Sequence, residues 1–182
     1  LQESLEQMVR AGAAVLIVSG DRGLYRRAHC VPAGRVYQGE VRLEDLPVEQ
    51  GRIAARRVTP DQWPLLAPLH QAEPVRFLRD ADFLRHRCFW WDCNHPEVWL
   101  IECGAEPIAY LMLSRDGMYE PKTRRLILSE YAGSRAALLE ALPAIFAASE
   151  LEVIRVNVLG HDREFLHLLG PLRVGMKASP LP

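Results

Sequence analysis

The stretch from Arg124 to Ala148 constrains the fold most, because it combines an apolar strand, a glycine turn and an amphipathic helix. The strand is Leu126–Leu128, and the turn ends at Gly133. From Ser134 onward, apolar residues recur with a period of about 3.6, which predicts a helix with Ser134 as its N-cap. These apolar residues are Leu138, Leu139, Leu142, Ile145 and Phe146.

A helix that starts directly after a strand and a glycine turn has free backbone N–H groups in its first turn. Such groups suit phosphate or another anion. A buried β–α–β crossover has the same sequence pattern and needs no ligand. The sequence leaves both interpretations of this turn open.

Composition limits the possible classes of protein. The 182 residues are 49% hydrophobic and 25% charged, which is ordinary for a globular protein of one or two domains. The formal net charge of -1 gives no electrostatic reason to expect binding to nucleic acid or to an anionic membrane. No apolar run approaches the ~20 residues of a membrane helix. The cysteines are too scattered for a disulfide framework, so we expect a cytoplasmic protein.

The N-terminal part alternates helices and strands. Residues 3–11 read as a helix, residues 13–19 as a buried strand, residues 22–29 as a short helix and residues 35–43 as a strand. The acidic segment Glu44–Gly51 contains proline and glycine and has little periodicity. It therefore predicts a linker and a domain boundary.

A second run of elements begins at Arg52 with a strand. Thr59 and Gln62 flank Pro60 in the pattern of a capping box, which predicts a helix start. From Arg52 onward, the sequence predicts a mixed α/β fold with the element order β-α-α-β-β-β-α-β-α-β. The later elements are a helix from Asp80 or Asp82 through Cys88, strands at Glu97–Cys103, Ile108–Leu113 and Leu126, the helix from Ser134, a strand at Glu152–Leu159, a helix at Asp162–Leu169 and a last strand at Pro171–Met176.

A short internal repeat links the two runs. An apolar strand ends at Gly20 and another at Gly160, and each glycine precedes an aromatic residue by five positions. The aromatic residue is Tyr25 in the first copy and Phe165 in the second. The repeat predicts a duplicated architecture.

The element order from Arg52 to Pro182 resembles that of the GCN5-related N-acetyltransferases. The hairpin from Val98 to Leu111 is similar to the second and third strands of that family, and residues 3–43 resemble the closing half of another such domain. The resemblance implies an N-terminally incomplete first domain at residues 1–43, a linker at residues 44–51 and a second domain at residues 52–182.

The resemblance implies transfer of an acyl group from acetyl-CoA to a small-molecule or peptide amine, in a protein that could form a homodimer. Tyr25 occupies the place of a tyrosine that often protonates the departing thiolate in this family, and a phenol keeps its proton at neutral pH. A tyrosine packed at a helix–sheet interface is the equally weighted alternative. Phe165 has no proton to give.

The family places the acyl-CoA diphosphate at a loop of the form Gln or Arg, any two, Gly, any one, Gly or Ala. Gly133, Ser134 and Arg135 would be the cofactor-binding residues here. Only Gly133 fits the pattern, because Glu130 adds a negative charge and Arg135 a long side chain. We therefore expect the second domain to be degenerate and non-catalytic. The alternative for the whole protein is a binding or dimerisation module without cofactor.

Two other groups of residues have chemistry-bearing side chains. His86, Cys88, Cys93 and His95 are of zinc-ligand type, but the aromatic residues between them fit a packed helix end, and we expect no metal. Glu97 and Glu102 could act as a base on a substrate amine, whereas solvated carboxylates are the simpler interpretation.

Overall fold

The computed structural model describes residues 2–12, 23–31, 34–47, 53–76, 96–115, 124–172 and 174–180. The strands are β1 (Arg35–Val41), β2 (Ile53–Arg57), β3 (Glu97–Cys103), β4 (Glu106–Arg115), β5 (Arg125–Gly133), β6 (Val153–Leu159) and β7 (Lys177–Pro180). The α-helices are α1 (Gln2–Arg10), α2 (Gly23–Arg27), α3 (Leu66–Ala72), α4 (Arg135–Ser149) and α5 (Arg163–Leu169). Two 3-10 helices span Leu43–Asp45 and Pro60–Leu65.

All strands of the described residues belong to one mixed sheet in the order β2-β3-β4-β5-β6-β1-β7. Neighbouring strands are antiparallel except for β5 and β6, which are parallel. The mixed α/β fold class is confirmed, and so is the order of the described elements that follow Arg52. The second predicted helix, from Asp80 or Asp82 to Cys88, lies outside the described residues.

The position of β1 corrects the division of the strands between two domains. The sequence assigned residues 35–43 to a first domain, but β1 lies between β6 and β7. It pairs with β6 from Val36–Leu159 to Val41–Ile154, and Val41 is fully buried. A strand paired on both sides is integral to its sheet. The assignment of α1 and α2 to another domain stays a prediction.

The last strand also begins later than the sequence predicted. The pattern placed it at Pro171–Met176, whereas β7 begins at Lys177. Gly175 has φ +59°, a left-handed conformation that interrupts an extended strand. The residues that pair with β1 are therefore those that follow this glycine.

Alternation along the strands produces two apolar layers, because successive side chains of a strand point to opposite faces. In β4, Leu111 joins a cluster with Leu138 and Phe146 of α4, whereas its neighbour Tyr110 joins a cluster with Leu66 of α3. The sheet thus lies between α4 and α5 on one face and α3 on the other. No helix of the described residues is long and apolar enough to cross a membrane.

The two parallel strands separate toward their C-terminal ends. Their pairing stops at Leu128 and Val156. Beyond these residues, β5 remains paired with β4 up to Gly133, and β6 remains paired with β1 up to Leu159. The turns that follow β5 and β6 therefore stand at the open end of a gap in the sheet.

Candidate functional site at the β5–α4 turn

The β5–α4 turn has the predicted helix cap. The Ser134 hydroxyl accepts a hydrogen bond from the Ala137 N–H at 3.3 Å, as an N-cap residue should. The Ser134 N–H donates to the Ile108 carbonyl at 2.9 Å. The backbone of the turn is thus fixed against β4.

Packing against the backbone of β4 requires a glycine at position 133, whether or not a ligand binds there. Its φ of +89° lies in the left-handed region, and a Cβ at this position would stand 2.7 Å from the Cα of Ala109 and even closer to the Ile108 carbonyl oxygen. Any larger residue would clash with the backbone of β4. The one residue that matches the family's loop pattern is therefore explained by packing alone.

A carboxylate of the chain itself occupies the anion-binding side of this turn. The Gly133 N–H donates to Glu73 Oε1 at 2.8 Å. Arg135 donates to both oxygens of the same carboxylate, from Nη1 to Oε1 at 2.7 Å and from Nη2 to Oε2 at 2.6 Å. Glu73 directly follows α3. The donor that would face a bound anion already has a partner.

A second carboxylate and a tyrosine hold the other edge of Arg135. Its Nε donates to Asp162 Oδ2 at 2.9 Å, and Tyr131 donates to the same oxygen at 2.9 Å. The guanidinium also lies over the Tyr131 ring, 4.8 Å from its centroid. We call Glu73, Tyr131, Arg135 and Asp162 the Arg135 cluster. Through it, the end of α3 is joined to the turns that follow β5 and β6.

The Arg135 cluster is nearly closed to solvent. The side chains of Arg135, Glu73 and Asp162 are 11%, 13% and 7% exposed. Burial would raise the pKa of Glu73, but hydrogen bonds from Arg135 and from the Gly133 N–H hold this pKa below its ordinary value. Burial would lower the pKa of Arg135, but its hydrogen bond to Glu73 and the charge of Asp162 raise it.

Tyr131 stays neutral, because burial and then the neighbouring Asp162 charge raise its pKa well above the ordinary value for tyrosine. The cluster therefore contains one positive charge and two negative charges at neutral pH. An added anion would meet a net negative charge at this position.

Aromatic side chains pack beside the gap between β5 and β6. Tyr131 and Phe165 meet edge to face, with ring centroids 4.9 Å apart. Phe165 is only 1% exposed and lies in the core on the α4 side of the sheet. The residue that the repeat aligns with Tyr25 is thus a core residue.

Tyr25 is the predicted proton donor. Tyr25 lies half-buried on the short helix α2, and its carbonyl accepts from the Cys30 N–H at 3.0 Å. In the described part of the chain, its phenol makes no hydrogen bond to the Arg135 cluster. Its role as a proton donor stays a prediction.

Glu130, which departs from the family's loop pattern, and the two candidate bases Glu97 and Glu102 all have hydrogen-bond partners. Glu130 accepts from the buried Tyr110 hydroxyl at 2.9 Å, on the side of the sheet that faces α3. Glu102 binds Arg56 through both oxygens, at 2.9 and 3.1 Å. Glu97 accepts from Ser149 at 2.6 Å and from Arg57 at 3.1 Å. As a substrate base, Glu97 or Glu102 would first have to leave its ion pair.

The predicted metal ligands His86, Cys88, Cys93 and His95 lie outside the described residues. Within the described ranges, no group of histidine, cysteine, aspartate and glutamate is arranged to hold a metal ion. The prediction that no metal is bound stays a prediction.

Sequence reasoning missed Glu73 and Asp162. Asp162 has a local signal, because an aspartate before a helix is a typical N-cap, and its Oδ1 accepts from the Phe165 N–H at 3.1 Å. Glu73 has no local signal, because its hydrogen-bond partner Gly133 lies 60 positions away.

No protein-family model matches the chain, and no curated protein matches it. Solved structures do. A GCN5-related N-acetyltransferase from Anabaena variabilis is 14% identical with a TM-score of 0.66, over 100% of this chain and 47% of that one. A conserved protein of unknown function from Enterococcus faecalis, described as a probable N-acyltransferase, is 10% identical with a TM-score of 0.75, over 99% and 47%.

A second GCN5-related N-acetyltransferase, from Kribbella flavida, is 16% identical with a TM-score of 0.64 over 98% of this chain and 44% of that one. The chain therefore spans about half the length of the structures that it matches. At these identities, the likeness concerns the fold.

Proposed function

We propose that the part of this chain around the β5–α4 turn, in a chain with the fold of the GCN5-related N-acetyltransferases, is a non-catalytic unit of a protein that transfers an acyl group from acyl-CoA to an amine, and that Tyr25 on α2 serves the catalytic site of that protein. The fold supports acyl transfer as the general class of activity. We propose this activity for a longer protein that contains the chain, because the matching structures are about twice as long as the chain. The acceptor would be a small-molecule or peptide amine.

The hydrogen bond from the Gly133 N–H to Glu73 carries the non-catalytic part of the proposal. A backbone N–H has one hydrogen, and the Glu73 carboxylate accepts it at 2.8 Å. The excess negative charge of the Arg135 cluster further disfavours a diphosphate. The residues present at this turn therefore do not fit coenzyme A, and the predicted cofactor role of Gly133, Ser134 and Arg135 loses its support.

The experiment is a thermal unfolding series with acetyl-CoA. A ligand at one hundred times its Kd stabilises a protein by about 2.7 kcal/mol, which shifts Tm by several degrees in a domain of this size. We expect no shift at about 1 mM acetyl-CoA, whereas an active acetyltransferase in the same buffer provides the positive control. A saturable rise in Tm would contradict the proposal.

The acyl-transfer part is tested on the longer protein. We expect it to release free thiol from acetyl-CoA only when an amine is present. Tyr25→Phe should reduce that rate without changing acyl-CoA affinity, and an unchanged rate would remove Tyr25 from the mechanism.

A second candidate function is a packing or dimerisation module, which the surface of α1 favours. This helix has no buried residue, yet Leu5, Met8 and Val9 form an apolar stripe in which Val9 is 71% exposed. Light scattering of the chain and of Val9→Glu tests the homodimer. A monomer at every concentration would contradict it.

A further inference from the structure

The end of β1 that follows Gln38 has an open edge. β7 pairs with the first four residues of β1, and this pairing ends at Gln38 and Lys177. The chain before Lys177 instead crosses the α4 face of β1, where a Cβ at Gly39 would stand 2.5 Å from Met176 Sδ. Among the described residues, no strand pairs with β1 on this side from Gly39 to Val41. A strand edge of this kind can accept an added strand.

A cavity of about 530 Å³ lies along this open edge. Its volume is within the range of binding sites for small ligands. Gly39 contributes only backbone to the lining, and Arg155 contributes a side chain. Arg155 lies beside Ile127 of β5, and Gly133 is six residues further along that strand, or about 20 Å. The cavity is therefore separate from the Arg135 cluster.

Two charged side chains of the cavity lining have no ion pair within the described ranges. Glu40 and Asp45 accept hydrogen bonds, Glu40 from an arginine of β5 at 2.6 Å and Asp45 from the Arg42 N–H at 3.1 Å. Glu44 and Lys177 are exposed and have no such partner in the part of the chain that the structure describes. One carboxylate and one ammonium group of the lining are thus available to a ligand.

The positions of Glu44 and Lys177 give the open edge a direction. Lys177 lies beside Gln38, where β7 begins, and Glu44 lies in the 3-10 helix beyond Val41. An antiparallel peptide on this edge would run from the Glu44 end to the Lys177 end, in the same direction as β7. Its N-terminal ammonium would then meet Glu44, and its C-terminal carboxylate would meet Lys177. A parallel peptide would bring like charges together, which is unfavourable.

The length of the open edge limits the length of the peptide. The edge from Gly39 to Val41 covers about three residues, or about 10 Å of extended chain. Alternate residues of an antiparallel strand direct their N–H and C=O groups toward the same neighbour. Main-chain hydrogen bonds would therefore hold the peptide, as in other cases of strand addition.

We propose that this cavity binds a peptide of about three residues with free ends, as an antiparallel strand added to β1. Lys177 binds its C-terminal carboxylate, and Glu44 binds its N-terminal ammonium. The inference goes beyond acyl transfer and does not rest on it, because the cavity lies at the other end of the sheet from the β5–α4 turn. The acetyl-CoA experiments leave it untested, and its own test leaves the proposed function untested.

The test is a titration of the isotope-labelled chain with trialanine at neutral pH and constant ionic strength. We expect saturable NMR shifts of the Gly39, Glu40 and Lys177 amides with a Kd of about 1 mM, and no shift at Gly133. N-acetyl-trialanine and trialanine amide each lack one terminal charge, so each should bind about fivefold more weakly. Absence of a saturable shift at about ten times the expected Kd would overturn the proposal.

Glu44→Gln and Lys177→Ala test the two ends of the cavity separately, and both replace exposed side chains. In Glu44→Gln, acetylation of the peptide should no longer weaken binding, whereas amidation still should. Lys177→Ala should show the opposite pattern. Glu106→Gln is the matched control, because this exposed glutamate lies in the β3–β4 hairpin, outside the described cavity lining. Unchanged discrimination among the three peptides in both cavity variants would overturn the proposal.

Labelled methyl groups test the direction of the peptide. Trialanine labelled at its first alanine should show nuclear Overhauser contacts to Val41 and Arg42. Trialanine labelled at its third alanine should show them to Gln38 and Lys177. Contacts in the reverse order, or none to β1, would overturn the added antiparallel strand.

Discussion

Arg135 and Glu73 form a two-pronged ion pair across the end of β5, with Nη1 2.7 Å from Oε1 and Nη2 2.6 Å from Oε2. A buried pair of this kind is costly to break, because the remaining partner keeps its charge without compensation. The pair should therefore both stabilise the turn and prevent ligands from binding there.

Arg135→Ala should lower the free energy of unfolding by roughly 3–5 kcal/mol, because it leaves both Glu73 and Asp162 without their main partner. Urea unfolding measures the change. Arg124→Ala is the matched control, because Arg124 and Glu152 form a pair in which each side chain is 63% exposed. That control should cost less than about 1 kcal/mol. Similar losses in the two variants would contradict the importance of the cluster.

The pH dependence of stability should contain a contribution from Glu73. Its folded-state pKa is lowered by Arg135 and the Gly133 N–H despite burial, so the stabilisation is complete above the unfolded-state pKa of about 4.3. It is lost as the pH falls from there through the folded-state pKa. Urea midpoints measured between about pH 6 and pH 3 should fall more steeply for the unmodified chain than for Glu73→Gln. Parallel curves would contradict this assignment.

Gly133→Ala should destabilise the protein by about 2 kcal/mol or more, because a Cβ would meet the β4 backbone and the φ is +89°. Gly104→Ala is a matched control, since its φ is +65° but a Cβ there meets nothing within 4 Å. The control should show only the left-handed strain of about 1 kcal/mol. Equal losses would mean that the close approach of β4 contributes nothing.

Removing β1 should destroy the sheet. Residues 53–182 alone would leave β6 and β7 without the strand that lies between them, so we expect no cooperative thermal unfolding. Residues 34–182 retain β1 and should unfold cooperatively in circular dichroism. A stable, cooperatively folded 53–182 fragment would show that the domain boundary predicted at residues 44–51 separates independent folding units.

Local sequence patterns predicted the elements around the turn. The period of Leu138, Leu142 and Ile145 indicated α4, and the serine before them indicated its cap, because both signals arise within one helix. The hairpin of β3 and β4 was predicted for the same reason. Each of these predictions depends on residues that are close in sequence.

Contacts between distant segments were not predictable in this way. The place of β1 depends on six register pairs between residues 36–41 and residues 154–159, and no local pattern specifies a partner so far along the chain. Glu73 and Gly133 are likewise 60 positions apart, and no local sequence pattern predicts their contact. The sequence showed that the turn departs from the family's loop pattern, but not that Glu73 accepts a hydrogen bond from Gly133.

The Gly133 amide reports most directly whether its hydrogen bond belongs to Glu73 or to a ligand. In a proton–nitrogen correlation spectrum of the unmodified chain, this amide should not move when acetyl-CoA is added to about 1 mM. A saturable shift of the Gly133 and Arg135 amides would contradict the account, because acetyl-CoA would then bind at the turn that Glu73 occupies.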